Sequence, residues 1–307
     1  VVAFDNFSSL SNYEMKTRRA NELGISGIEG LKKGPVKVDN AEYHYADLCD
    51  ITALENIFAE HKFDCIVHLA ALTGVRQSVQ NPQAYIDANV KGFVNMAECA
   101  KKFGVKNFIY ASSSSVYGAN KETPYKEDSD TNHPISAYAA SKKACELLAN
   151  TYHELYDVNM IGLRFFTVYG PWTRPDMAAY IFMKAIAEGR EIELFNEGKM
   201  VRDFTYVADI VKSIDLLIQK IGSTGDSLCQ IFNIGNHRPI YTIDFLRQIE
   251  TAMQQKAKVV NKEMQPGDML ATNAEVEKLY KFIGFRPQTA LDEGVKMMVN
   301  WFKNSNK

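Results

Sequence analysis

Apolar runs and helical periods alternate along the first half of the chain. Residues 1–4, 65–70, 107–112 and 160–166 are short, continuous and rich in β-branched and aromatic side chains, as strands buried on both faces of a sheet are. Between them, residues 52–61, 83–103 and 137–156 repeat their apolar positions at the helical period. In the last of these, Ala144, Leu147, Leu148, Thr151 and Leu155 fall on one stripe. Strands alternating with helices predict an α/β fold with a doubly wound parallel sheet. After Phe166 the rhythm becomes irregular, and Pro171, Pro175, Pro239, Pro266 and Pro287 punctuate short mixed elements. That stretch reads as a smaller mixed α/β domain. Because residues 204–235 return to a helix followed by a strand, the domains are expected to interleave: 1–163 with about 204–236, and 164–203 with 237–307.

Composition narrows the classes. A net charge of -2 over 307 residues carries no basic excess for nucleic acid. The longest apolar runs, such as residues 161–168 with Arg164 inside, fall short of a membrane span. Cys49, Cys65, Cys99, Cys145 and Cys229 are odd in number and contain no C-x-x-C pair. Their pattern points to neither a zinc site nor a disulfide framework, and no metal is expected; a reducing cytoplasm is the expected setting. The opening Val1-Val2-Ala3-Phe4-Asp5 lacks signal-peptide architecture and reads as a strand cut off from what precedes it.

In a dinucleotide-binding βαβ unit of the Rossmann type, an acidic residue ends the second strand, roughly 20 residues after a glycine-rich phosphate turn, and takes the adenosine ribose hydroxyls. Asp5 stands where such an acid would, followed by Asn6. The first strand, the glycine-rich turn and the first helix are therefore expected to be absent from this chain. Asp47 and Leu48 follow an extended stretch at 43–46, as an adenine-contacting segment would. Leu69, Ala70 and Ala71 end the next strand with small residues where a cofactor backbone must pass. A carboxylate at position 5 favours NAD over NADP, because it repels a 2′-phosphate. His68 reads as a core histidine.

Tyr138 and Lys142 lie at i and i+4 on the predicted helix, so both project from one face. An ammonium beside a phenol lowers its pKa from about 10 and makes it a usable base for an alcohol proton. A bare Tyr-x-x-x-Lys recurs by chance on helix surfaces. Here it accompanies a serine run, Ser112 to Ser115, that directly follows a buried strand at the carboxyl edge where doubly wound sheets bind ligands.

Three blocks, Tyr110-Ala-Ser-Ser-Ser-Ser-Val-Tyr-Gly118, Tyr138-Ala-Ala-Ser-Lys142 and Leu163-Arg-Phe-Phe-Thr-Val-Tyr-Gly-Pro171, resemble the signatures of extended short-chain dehydrogenases/reductases. The resemblance implies Ser113, Tyr138 and Lys142 as the catalytic group, with Ser113 and Ser114 near the substrate. It also implies Lys142 on the nicotinamide ribose and Asn89 near the cofactor. Related dehydratases and decarboxylases carry acids in the loop where Ser114 and Ser115 stand, which leaves reversible oxidation at C4 of a sugar nucleotide as the implied chemistry.

The stretch Thr167 to Ala178 is similar to UDP-glucuronate 4-epimerases. So are Leu72-Thr-Gly-Val-Arg76, Arg202-Asp-Phe-Thr-Tyr206, Asn233-Ile-Gly-Asn236 and Gln265-Pro-Gly-Asp268. Leu72, Thr73 and Thr173 depart from that pattern. A hexuronate carboxylate needs a cation or hydroxyl, and Thr167 with Arg174 offer both; a solvated loop charge is the plain alternative for Arg174. By resemblance Arg202 meets the UDP diphosphate, the alternative being an ion pair with Asp203 or Asp209. Arg76 and Asp268 are implied at the substrate. A UDP-glucose 4-epimerase, a UDP-glucuronate decarboxylase and an inactive NAD-binding scaffold remain alternatives. The helices at 83–103 and 137–156 resemble those of an intersubunit four-helix bundle, which implies a homodimer, and surface-polysaccharide synthesis is the use the resemblance implies.

Overall fold

The structure, a computed structural model, describes residues 1–8, 13–25, 27–223, 227–264 and 269–305. It falls into two compact units.

The first unit comprises Val1–Ala111, Ser136–Ile161 and Asp226–Cys229. It opens with β1 (Val2–Asp5), α1 (Tyr13–Glu22), α2 (Ile28–Leu31), β2 (Val36–Val38) and β3 (Ala41–Tyr45). These strands form a sheet in the order β1-β3-β2, with β1 parallel to β3 so that Asp5 lies opposite Tyr45. Next comes α3 (Ile51–Glu60), whose first turn is capped by the Asp50 carboxylate accepting from Ala53 N at 3.1 Å. β4 (Ile66–His68) runs parallel to β5 (Asn107–Ser113), with His68 opposite Tyr110. Leu54, Phe58, Phe93, Ala97, Phe108, Cys145 and Ala149 pack the core between them.

After α4 (Val75–Gln80), residues 83–103 read as one helix but fold as three pieces: α5 (Pro82–Tyr85), a π-helical turn at Ile86–Lys91, and α6 (Gly92–Phe103). Asn81 caps α5 and Pro82 begins it, where a missing N–H costs nothing. The π turn inserts an extra residue per turn and brings the buried Asn89 inward. α7 (Ala137–Tyr156) begins under a Ser136 cap and ends at Asp157 in the left-handed region. Its leucine stripe corrects the reading of residues 144–155. Leu147 is 61% and Leu155 65% exposed, while Ala139, Lys142, Cys145, Ala149 and Tyr152 form the buried face. The helix packs small residues such as Ala139, Cys145 and Ala149 inward and turns Leu147 and Leu155 out, while Leu148 is half-buried against the core. Burial on both faces also fails for β1, which is half-buried throughout, and at Val67 of β4, which is exposed. β6 (Asn159–Phe165) follows and neighbours β5.

The second unit comprises Ser112–Ile135, Gly162–Gly225 and Gln230–Lys307. It contains β7 (Thr167–Tyr169), α8 (Ala178–Glu188), β8 (Glu191–Phe195), β9 (Val201–Arg202), β10 (Phe204–Tyr206), α9 (Val207–Ser223) and β11 (Cys229–Ile234). β12 (Ile240–Tyr241), α10 (Thr242–Met253), β13 (Lys258–Lys262), α11 (Glu277–Ile283) and α12 (Leu291–Ser305) complete it. β7 pairs with β10 and β8 with β13, both parallel, and β9 pairs with β12 antiparallel. The largest sheet has the order β11-β6-β5-β4.

Residues 204–225 and 230–236 group with this unit, although their helix-strand rhythm reads as part of the first domain. The fully buried Asp203 accounts for it. Its carboxylate accepts from the backbone N–H of Asn236 at 2.6 Å, His237 at 3.0 Å and Ala274 at 3.1 Å, and from the Thr205 hydroxyl at 3.2 Å.

Candidate active site

Lys142 sits in the middle of α7 and is only 4% exposed. Its Nζ donates to the carbonyl oxygen of Ala111 on β5 at 2.8 Å, the acceptor the described residues offer it. Burial lowers the ammonium's pKa. A buried cation with N–H groups to spare seeks further oxygen partners. Nearby, burial first and the Lys142 charge second push His68 down to about 3, so its imidazole is neutral. That agrees with the core role read for it: the ring packs against Phe93 and Phe108.

Tyr138 stands one turn before Lys142 on the same helix and is half-buried. Its ring meets Tyr85 edge to face, with centroids 6.2 Å apart. Tyr85 was not singled out in the sequence, yet it is 3% exposed and its hydroxyl donates to Thr73 O at 2.7 Å and to Gly74 O at 3.0 Å. Asn89 binds the adjoining part of that loop. Its Oδ1 accepts from Leu72 N at 2.7 Å, and its Nδ2 donates to Leu72 O at 3.0 Å and to the Ser141 hydroxyl at 2.9 Å. The Asn89 side chain is therefore engaged within the protein, fixing the 72–74 loop to α7 beside Lys142. Arg76 follows this loop at the start of α4 and is exposed.

At the end of β1, Asp5 Oδ1 accepts from Phe7 N at 2.6 Å and pairs with Lys16 at 2.8 Å. Its Oδ2 has no bond among the described residues. Asn6 Nδ2 donates to Asp47 Oδ2 at 2.7 Å, and Cys49 N donates to Asp47 Oδ1 at 2.7 Å. Burial pushes the Asp47 carboxyl up, but these hydrogen bonds together outweigh it and hold the pKa below the ordinary value. Asp5, Asn6 and Asp47 thus stand together at the carboxyl ends of β1 and β3. Leu48 differs: its side chain is in the core and its carbonyl accepts from Asn95 at 2.6 Å. Leu69 and Ala70 are exposed and Ala71 half-buried just beyond β4. A carboxylate with an open oxygen, a small-residue strand end and a buried ammonium with spare donors fit the ribose hydroxyls and backbone of a dinucleotide.

In the second unit, Ser113 is 8% exposed at the end of β5. Its hydroxyl accepts from Ser115 N at 3.2 Å and donates to Ser115 Oγ at 3.1 Å, which caps the short turn at Ser114–Tyr117. Ser114 is half-buried in that turn. Gly118, at φ +53, follows with no room for a side chain, because a Cβ there would lie 2.0 Å from His133 O.

Thr167 begins β7, half-buried, with its N–H on Asp203 O at 3.0 Å. Arg174, on the loop after β7, forks onto Asp176 through Nε at 3.0 Å and NH2 at 2.8 Å. Sequence reasoning passed over Asp176, two residues away between Pro175 and Met177. Arg202 donates to Val201 O at 2.9 Å and touches Met200 Sδ at 3.6 Å. The acids weighed as its partners are occupied by backbone amides, Asp203 as described and Asp209 by Gln288 N and Thr289 N. Asp268 lies outside the described residues.

A doubly wound α/β unit with a Tyr-Lys pair on the helix after its catalytic-edge strand defines a dinucleotide-dependent enzyme of the short-chain dehydrogenase type. The chain belongs to the family described as NAD dependent epimerase/dehydratase, which matches residues 1–235. It is 41% identical to protein CapI of Staphylococcus aureus over 96% of this chain and 89% of that protein. It is 35% identical to a UDP-glucuronate 4-epimerase of Thermodesulfobacterium geofontis over 99% of this chain and 89% of the other. Among solved structures, the UDP-glucuronic acid 4-epimerase of Bacillus cereus in complex with UDP-glucuronic acid and NAD superposes with a TM-score of 0.87. It is 27% identical, with 99% of this chain and 91% of that chain covered.

Proposed function

We propose that this protein is a UDP-glucuronate 4-epimerase that interconverts UDP-glucuronate and UDP-galacturonate through a transient 4-keto sugar. The single observation that carries the reading is the buried Lys142 ammonium one helical turn from Tyr138, in a chain that resembles UDP-glucuronate 4-epimerases over almost its whole length.

In this reading the first unit binds NAD. Asp5 accepts from the adenosine ribose, Asn6 and Asp47 line the adenine side, and Leu69 to Ala71 let the cofactor pass. Lys142 donates its spare N–H groups to the nicotinamide ribose. Bound NAD would supply the acceptor and donor for the C4 hydride. Tyr138 removes the C4 hydroxyl proton as that hydride leaves, and the ammonium, short of other anions in its buried setting, stabilises the tyrosinate. Ser113 hydrogen-bonds the C4 oxygen. Tyr138 gives the proton back after the keto sugar has turned over, so C4 is inverted with no net oxidation. In the second unit Arg202 holds the diphosphate, and Thr167 with Arg174 hold the C6 carboxylate. A firmly bound carboxylate also protects a β-keto acid from losing carbon dioxide.

The Arg174 fork on Asp176 favours a second reading, a UDP-glucose 4-epimerase, in which no carboxylate anchor is needed and the pair stays closed. NMR of products from UDP-glucuronate with purified protein and NAD separates the two. Epimer formation without carbon dioxide release is expected; turnover of UDP-glucose alone would install the second reading, and tight NAD binding without any epimer would make the chain a scaffold.

The exposed Leu147 and Leu155 of α7 support a homodimer through that helix, and sedimentation as a monomer at micromolar concentration would remove it. No helix of the described residues is long and apolar enough to cross a membrane. Five free cysteines, none in a disulfide, suit a reducing cytoplasm, and supply of UDP-galacturonate for surface polysaccharide is the role in which the product would serve.

A further inference from the structure

Glu42 and His44 alternate on β3 and so share a face, and His61 closes the carboxyl end of α3. Both imidazoles aim Nε2 at one oxygen. Glu42 Oε1 lies 2.8 Å from His44 Nε2 and 3.2 Å from His61 Nε2, and the three donor atoms all fall within 4.8 Å of one another. The side chains are little exposed, at 12% for Glu42, 10% for His44 and 25% for His61. The two rings stand nearly perpendicular, with centroids 6.1 Å apart, and His61 rests on Phe63. None of these residues enters the epimerisation described above.

We propose that Glu42, His44 and His61 form a zinc-binding site that ties the end of α3 to β3. Two imidazole nitrogens and one carboxylate oxygen are a zinc donor set, with a fourth tetrahedral position left for water. Zinc bonds of about 2.0 to 2.2 Å place tetrahedral donors roughly 3.3 Å apart. The observed separations of 2.8 and 3.2 Å, with no pair beyond 4.8 Å, bracket that spacing. Shifts of a few tenths of an ångström, with the proton moved from Nε2 to Nδ1 on each ring, convert the hydrogen-bonded cluster into a ligand set. Lys37, on the facing strand β2, is the lysine paired with Glu42. It pairs with the other carboxylate oxygen, Oε2, at 3.2 Å and is 79% exposed, so it leaves Oε1 available and can swing into water. Magnesium, which prefers oxygen ligands and holds its waters, does not suit this set.

Calorimetric titration of the EDTA-treated, dialysed full chain with zinc chloride at pH 7.5, and with magnesium chloride as control, tests the site. One saturable zinc per chain is expected, with micromolar or tighter affinity, a raised melting temperature and no response to magnesium. His61→Gln and His44→Gln are each expected to weaken zinc at least tenfold and to abolish the melting shift. His61→Gln, at a helix end, keeps the test available if the strand variant does not fold. No saturable zinc binding, or undiminished binding in His61→Gln, overturns the proposal.

Discussion

Lys142 in the first unit and Arg174 in the second are both cations assigned to oxygen ligands, yet their surroundings differ. Lys142 is 4% exposed, with a backbone carbonyl as its acceptor. Arg174 lies on a loop, with its fork on a carboxylate that is itself 46% exposed. Water cannot satisfy the first, so the protein maintains a standing demand for ligand oxygen there. The second already holds a stand-in for its ligand, and replacing one carboxylate by another in solvent costs little. In the proposed function, chemistry is thus prepared in the buried helix, while substrate recognition proceeds by exchange on an open loop.

Acid stability probes the buried side of this comparison and carries the largest expected effect. The folded pKa of His68, about 3, lies below the unfolded value of about 6.5. The native state therefore has its full advantage above pH 6.5 and loses it as pH falls toward 3, because only the unfolded chain takes the proton. Over that window the wild type is expected to lose roughly 4 to 5 kcal/mol relative to His68→Leu. Denaturant unfolding at several pH values checks this, and parallel curves for the two proteins would show that the imidazole is not held neutral. On the open side, Arg174→Ala is expected to lower kcat/KM for UDP-glucuronate by roughly 10- to 100-fold, the range of a charge-assisted hydrogen bond, and to spare UDP-glucose. An equal loss on both sugars would assign Arg174 to the loop rather than to the carboxylate. Asp176→Asn carries the smallest effect. Releasing a surface ion pair should lower KM for UDP-glucuronate by about two- to fivefold; a raised KM would mean that Asp176 positions the arginine instead of competing for it.

The fold class was legible because its signal is periodic. The strand at Asn107–Ser113 and the helix at Ala137–Tyr156 lie within a residue of their sequence readings. The break in residues 83–103 was not legible, because a π turn leaves the apolar period nearly intact and its cause, the bonds of Asn89 to Leu72 and Ser141, spans 17 and 52 residues. The leucines of α7 misled for a related reason: periodicity locates an apolar stripe without saying what covers it, and here alanine and cysteine face the core. At the candidate site, Tyr138 and Lys142 were readable from their i, i+4 spacing only together with the serine run at Ser112 to Ser115 and the family signature blocks. Tyr85 was not, although it lies four residues before Asn89, a spacing that hinted at a shared face. The Glu42, His44 and His61 cluster depends on a strand meeting a helix end, and no linear ligand spacing announces it.

In the proposed reaction the Tyr138 hydroxyl removes the C4 proton with Lys142 behind it. Time-resolved NMR of UDP-glucuronate with NAD, comparing wild type and Tyr138→Phe at equal NAD occupancy, tests it most directly. UDP-galacturonate is expected from the wild type, with a rate lowered by about 10²- to 10⁴-fold in the variant. Epimer formation at the wild-type rate without that hydroxyl would contradict it.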